Sequence, residues 1–322
     1  DNLFDTNALM SLKTLQSIEM ISSKLTHFTP PEDAHQLQEL ILTNFSFESS
    51  TLSSIGPSNY PEKMKTIDLS SGHLHQFPLF PNLKEVENLI LKHNPLTHFD
   101  SLGQIEKIGT LDVCRCKNLK NFTGFENVKQ IEKINLFGCQ NMDNFSGLEN
   151  TSIVIKKLDL GECPLIKSFE HLPNELWEEI ICGSEQLPTV GPEFKCKKIH
   201  LLAVNNIEGI EKYSSLESLT IGNRSVYSEK DLNHPLEDFS PLPGLKSLKE
   251  LRIQTNKSFS LKFAAQFDQL QILYLVSSTQ IKEPEYLKDS KIGTIYIAEC
   301  NLKKSDFPIS VQKQINWQTK HH

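Results

Sequence analysis

The chain has 322 residues, with 33 Lys+Arg against 40 Asp+Glu and a net charge of -7. That balance excludes the basic surplus of a nucleic-acid binder, and no apolar run reaches the roughly 18 residues of a membrane span. Hydrophobic residues make up only 38%, which suits an elongated fold with much surface per residue better than one compact core.

Taken in chain order, residues 1–14 are expected to form an N-terminal cap, a short helix starting at Asp5 or Thr6. The absence of an initiator Met at Asp1 leads us to expect a processed or cut chain. A recurring phrase then begins: apolar, two others, apolar, one other, apolar. It reads Leu15-x-x-Ile18-x-Met20, Leu37-x-x-Leu40-x-Leu42, Ile67-x-Leu69, Val86-x-x-Leu89-x-Leu91 and Ile108-x-x-Leu111-x-Val113. Next come Ile131-x-x-Ile134-x-Leu136, Ile155-x-x-Leu158-x-Leu160, Ile180-x-Cys182 and Ile199-x-Leu201. The last four are Leu216-x-x-Leu219-x-Ile221, Leu248-x-x-Leu251-x-Ile253, Leu270-x-x-Leu273-x-Leu275 and Ile292-x-x-Ile295-x-Ile297. The steps between closing residues are 22, 27, 22, 22, 23, 24, 22, 19, 20, 32, 22 and 22. Period two within each phrase predicts a strand with one face inward. A unit this short cannot bury its own apolar face, so the units must stack.

The rest of the unit is phased too. Three residues after the phrase stands Asn94, Cys116, Cys139, Cys163, Asn256, Ser278 or Cys300. A buried amide or thiol there can donate to turn carbonyls. Further on stands Phe28, Phe77, Phe99, Phe122, Phe145 or Phe169, the makings of an aromatic spine. The long steps mark insertions, a Ser/Pro-rich stretch at Glu48–Tyr60 and a second within Asn223–Gly244, placed as loops. Repeats eight and nine read as short and irregular, with Trp177 at their junction and Cys196 in a return segment. Residues 303–322 are expected to hold a C-terminal cap, Trp317 covering the final repeat, followed by a tag remnant at His321-His322.

This pattern resembles the leucine-rich repeat family, L-x-x-L-x-L-x-x-(N/C)-x-L, across residues 15–302. The resemblance implies an α/β repeat solenoid: a horseshoe with a parallel concave sheet of about thirteen short strands. It is similar to intracellular members, including the Cys-bearing repeats of plant immune receptors ("LDVCRCKNL", "LDLGECPLI") and the repeats of bacterial effectors.

Seven cysteines lie within the repeats and not as paired end caps, so they are expected to be reduced, in a cytoplasmic setting or a host cytosol after secretion. Cys114 is the one expected to face outward and to react readily. Six Asn-x-Ser/Thr sequons occur, at Asn44, Asn121, Asn144, Asn150, Asn223 and Asn256. Asn256 is read as a buried ladder residue that no glycan would fit, and most of the others as products of composition. Cys114-x-Cys116 lacks the spacing and partners of a zinc site. No P-loop, GxSxG, HExxH or GxGxxG occurs. No catalytic residue, cofactor or metal is therefore assigned.

Residues between core positions are expected on the concave face. Two patches are candidates for partner binding. One is polar and alternates in sign: Asp68, Lys92, Asp112, Lys133, Asn135, Lys157 and Asp159, with Phe137 among them. Asp112 and Asp159, two repeats apart, would stand about 10 Å from each other, too far for a retaining glycosidase pair. The second is Arg252, Ile272, Tyr274 and Tyr296, rich in residue types of interface hot spots. His200 is read as an exposed polar residue. The expected function is a monomeric, non-enzymatic scaffold that binds a protein, in the manner of a bacterial effector acting on a host protein. The alternatives are the sensing domain of a larger immune receptor and the recognition module of a truncated ubiquitin ligase.

Overall fold

A computed structural model describes residues 12, 14–21, 34–45, 61–173, 175–222, 236–276, 281–298, 300 and 302–318. Nearly all of the expected N-terminal cap lies outside that set. So do Phe28, Glu48–Tyr60, residues 223–235, Ser278 and His321-His322. The chain divides into two compact units, Asp1–Pro173 and Asn174–His322.

In the first unit each phrase becomes a strand: β1 (Ser17–Ile21), β2 (Glu39–Thr43), β3 (Lys63–Asp68), β4 (Glu85–Ile90), β5 (Lys107–Asp112), β6 (Gln130–Asn135), β7 (Ser152–Ile153) and β8 (Lys157–Leu160). β1 to β7 form one sheet in chain order, every pair parallel. The register sets like on like: Leu40, Ile67, Leu89, Leu111 and Ile134 are successive partners, all buried. Full burial of one such side chain is worth about 1.5–3 kcal/mol, so the repeated phrase itself drives the stacking.

Behind the sheet run two further ladders. The rings of Phe99, Phe122, Phe145 and Phe169 follow one another at centroid distances of 6.0, 6.5 and 6.1 Å. Phe125 packs edge-on against Phe99 and Phe122. The Asn/Cys ladder joins each repeat to the one before. Asn94 Oδ1 accepts the N–H groups of Gly72 and Leu74, and its Nδ2 donates to the carbonyls of Leu69 and Leu91. Cys116, Cys139 and Cys163 donate to the carbonyls of Leu91, Val113 and Leu136 at 3.1, 3.2 and 3.2 Å.

The second unit holds β9 (Leu176–Cys182), β10 (Lys195–Leu201), β11 (Ser218–Ile221), β12 (Glu250–Gln254), β13 (Phe259–Ser260), β14 (Ile272–Val276), β15 (Ile281–Lys282), β16 (Thr294–Ala298) and β17 (Ile315–Gln318). β9, β10, β11, β12, β14, β16 and β17 pair in that order, all parallel. β13 and β15 pair separately. β17 carries Trp317 as a partner of Ile297, so the tail adds a strand in register. Of the second insertion, Leu236, Phe239 and Leu242 are buried, Phe239 beside Phe259 and Phe263. Among the described residues the connections contain 3-10 turns and no α-helix. In each unit the fold is a parallel leucine-rich-repeat-type solenoid.

Several local assignments change. Ile153, not Ile155, opens the seventh phrase: it pairs with Ile131 and is buried, whereas Ile155 is exposed. Two extra residues, Val154 and Ile155, make a bulge before Leu158, because Ile153 fits the core slot and the step of 24 leaves a surplus. Met64 supplies the opening residue missing from the third phrase. Trp177 and Cys196 are partners in β9 and β10 and open phrases eight and nine, so neither lies in a junction or return segment. Asn256 is exposed. Its neighbour Thr255 is the buried residue, and its hydroxyl accepts the Lys257 N–H. The ladder argument against a glycan at Asn256 therefore falls.

Candidate partner-binding face

In the first unit the middle outward row is Glu19, Ile41, Asp68, Ile90, Asp112 and Asn135, each the register partner of the next. Its carboxylates and amides close turns. Oδ1 of Asp68, Asp112, Asn135 and Asp159 accepts the N–H two residues on, from Ser70, Cys114, Phe137 and Gly161. These Asx turns steer the chain out of each strand, a role the sequence reading missed although the i to i+2 spacing was there to see. Asp112 is also tied to Lys92 at 3.1 Å and to Asn135 Nδ2 at 3.1 Å. That bond holds the Lys92 ammonium above its usual pKa. Lys133 and Lys157 are exposed. Phe137 lies against Gly161, where a Cβ would come within 2.9 Å of the ring, and Arg115 sits 5.9 Å from its centroid.

In the second unit the middle row is Ile181, His200, Thr220, Arg252, Tyr274, Tyr296 and Asn316. Register alone brings three candidate residues together. The Tyr274 and Tyr296 rings stack at 4.6 Å with 9° between planes. The Arg252 guanidinium sits 5.7 Å from the Tyr274 centroid. Ile272 stands one row away between Glu250 and Thr294. All four candidates are partly exposed. Partial burial and the neighbouring Glu250 raise the Tyr274 pKa, so its hydroxyl stays a neutral donor and acceptor at physiological pH. His200 is half-buried and bonded to Glu179 at 2.9 Å.

Burial disfavours the thiolate form of five cysteines. Burial lifts Cys116, Cys182 and Cys196 to about 12 and Cys139 further. Burial and the Asp112 carboxylate also raise Cys114, and Cys300 shares its intermediate exposure. Cys114 and Cys300 are thus the two thiols of intermediate exposure, where the sequence pointed to Cys114 alone. Among the described residues no three His, Cys, Asp or Glu side chains gather as a metal ion would need, and no helix is long and apolar enough to cross a membrane.

What the fold and these faces define is, in each unit, a stack of repeats whose parallel sheet presents side chains at fixed spacing, an architecture whose extended face generally serves binding. Neither a protein-family model nor a curated protein matches the chain. Among solved structures it is similar to an internalin (inlF) from Listeria monocytogenes, at 14% identity and a TM-score of 0.44, over 96% of this chain and 88% of that one.

Proposed function

We propose that the chain is a protein-interaction scaffold that engages its partner through Arg252, Tyr274 and Tyr296, with Ile272 beside them. The supporting observation is the stacked ladder: Tyr296 on Tyr274, Arg252 beyond, all on rigid parallel strands. The side chains are ordered before a partner arrives, so binding costs less conformational entropy. Flat aromatic faces and an Arg fork suit a protein surface with an apolar patch edged by carboxylates. On the first unit Lys133, Lys157 and Phe137 offer a further contact area, with Asp112, Asn135 and Asp159 holding the turns beneath. The chain is taken to act as a monomer. The finer reading, an effector docking on a host protein in the cytosol, rests on composition and on the look of the repeats.

Affinity purification with the native chain, with R252A/Y274A/Y296A and with K133A/K157A tests this. Partners identified by mass spectrometry should be lost with the triple variant and weakened with the double one. Unchanged recovery by a triple variant that unfolds at the native temperature would remove the ladder as the binding site.

A further inference from the structure

The outward face of the first unit is laid out in rows of cross-strand charge. One row runs Glu62, Lys84, Glu106, Lys129, and its members pair as Lys84–Glu62 at 2.9 Å and Lys129–Glu106 at 2.8 Å. The next runs Lys63, Glu85, Lys107, where Glu85 takes Lys63 at 2.9 Å and Lys107 at 3.9 Å. Sign alternates from strand to strand in both. A third row follows the buried residues Met64, Val86, Ile108 and Ile131: Lys65, Glu87, Gly109, Glu132. Its alternation breaks at Gly109, where a cation is due. Lys65 is drawn away to Glu39 at 3.2 Å. Among the described residues Glu87 and Glu132 are left without an ion pair.

The chain cannot fill that position itself. A Cβ at 109 would stand 2.3 Å from the Glu87 carbonyl oxygen, so only glycine fits. The bare backbone floors a groove of about 730 Å³ lined also by Glu87, Asn88, Thr110 and Glu132. Strand spacing sets the backbones of the two glutamates about 10 Å apart across it, and their flexible side chains can close from both sides on one ammonium or guanidinium. Beside Glu132 the bulge exposes Val154 and Ile155, the latter donating its N–H to the Glu132 carbonyl at 2.7 Å. That apolar ledge suits the aliphatic stem or a neighbour of a basic side chain.

We propose that this groove docks a segment of a protein partner that places one Lys or Arg side chain over Gly109, between Glu87 and Glu132. Lys63, Lys65 and Lys107 also line the groove, so it favours a single basic residue in a neutral or apolar setting over a polybasic run. The site is separate from the ladder of the second unit and stands or falls without it.

The test uses the full chain and pools of fluorescent peptides whose central residue is fixed as Lys, Arg, Gln or Glu and whose flanks are randomised among uncharged residues. Fluorescence polarisation should show the Lys and Arg pools binding about five- to tenfold tighter than the Gln pool. An oligolysine peptide should gain nothing over them. The preference should vanish in E87Q/E132Q, fall partway in E87Q and E132Q singly, and persist in R252A/Y274A/Y296A. Equal binding of all pools, or a preference that survives E87Q/E132Q, overturns the proposal. So does a preference lost in the ladder variant, or oligolysine binding best.

Discussion

Single residues in this chain take their chemistry from where the repeat places them. Cys116 and Cys139 donate weakly to buried carbonyls, and the same burial suppresses their ionisation. A thiol whose folded pKa is raised favours the folded state while both states are protonated, below the unfolded value near 9. As pH rises beyond that, the unfolded chain ionises while the folded one resists, and stability is lost. We expect the urea midpoint to be insensitive to the thiols below pH 9. It should then fall between pH 9 and 12 as the unfolding free energy drops by up to about 1.4 kcal/mol per thiol per pH unit. Labelling with iodoacetamide at pH 7.5 should reach Cys114 and Cys300 first, both slower than free cysteine, and should quicken as pH rises. A pH-independent midpoint across pH 9–11, or fast labelling of Cys139, would contradict the buried ladder.

At the scale of one element, the turn leaving each strand is the demanding part. Asn44, Ser71, His93, Arg115, Gly138 and Glu162 all have positive φ there, and only one is glycine. The strain is offset because this geometry aims the N–H groups of Asn44, Ser71, His93, Arg115 and Gly138 at the next repeat, as His93 does to the Cys114 carbonyl and Arg115 to that of Phe137. Asn94 secures the same turn with four buried hydrogen bonds. Asn94→Ala would orphan the N–H groups of Gly72 and Leu74, take its donor from the Leu69 carbonyl, and leave the Leu91 carbonyl only the weak Cys116 thiol. It should cost about 2–4 kcal/mol in urea unfolding, against about 1 kcal/mol for Cys116→Ala, whose bond is weaker. Equal costs would mean the ladder residues are interchangeable fillers.

At the scale of the whole molecule, each repeat touches mainly its neighbours, so damage should spread along the stack and not everywhere at once. Phe122 sits fully buried in the spine between Phe99 and Phe145. Phe122→Ala should cost about 3–5 kcal/mol. Hydrogen exchange should quicken first in β5 and β6, with β1 and the strands of the second unit less affected. Uniform loss of protection along the chain would show a single cooperative core.

The amino-acid sequence alone determined the repeat, the strands and their parallel order, because a core that recurs every 22 or so residues leaves its period in the apolar positions. It also placed Arg252, Tyr274 and Tyr296 in one row, since register follows from that period. Local spacing hid other features. Ile153 and Ile155 both look like core residues, and only pairing with Ile131 chooses between them. Trp177 and Cys196 do not look like leucines, yet the phrase needs only an apolar group of tolerable volume. What tertiary structure alone decided is which charges find partners. Cross-strand pairing spends Lys63, Lys65 and Lys107 and leaves Glu87 and Glu132 facing a glycine. That balance depends on distances between strands far apart in the chain, which no reading along the chain contains.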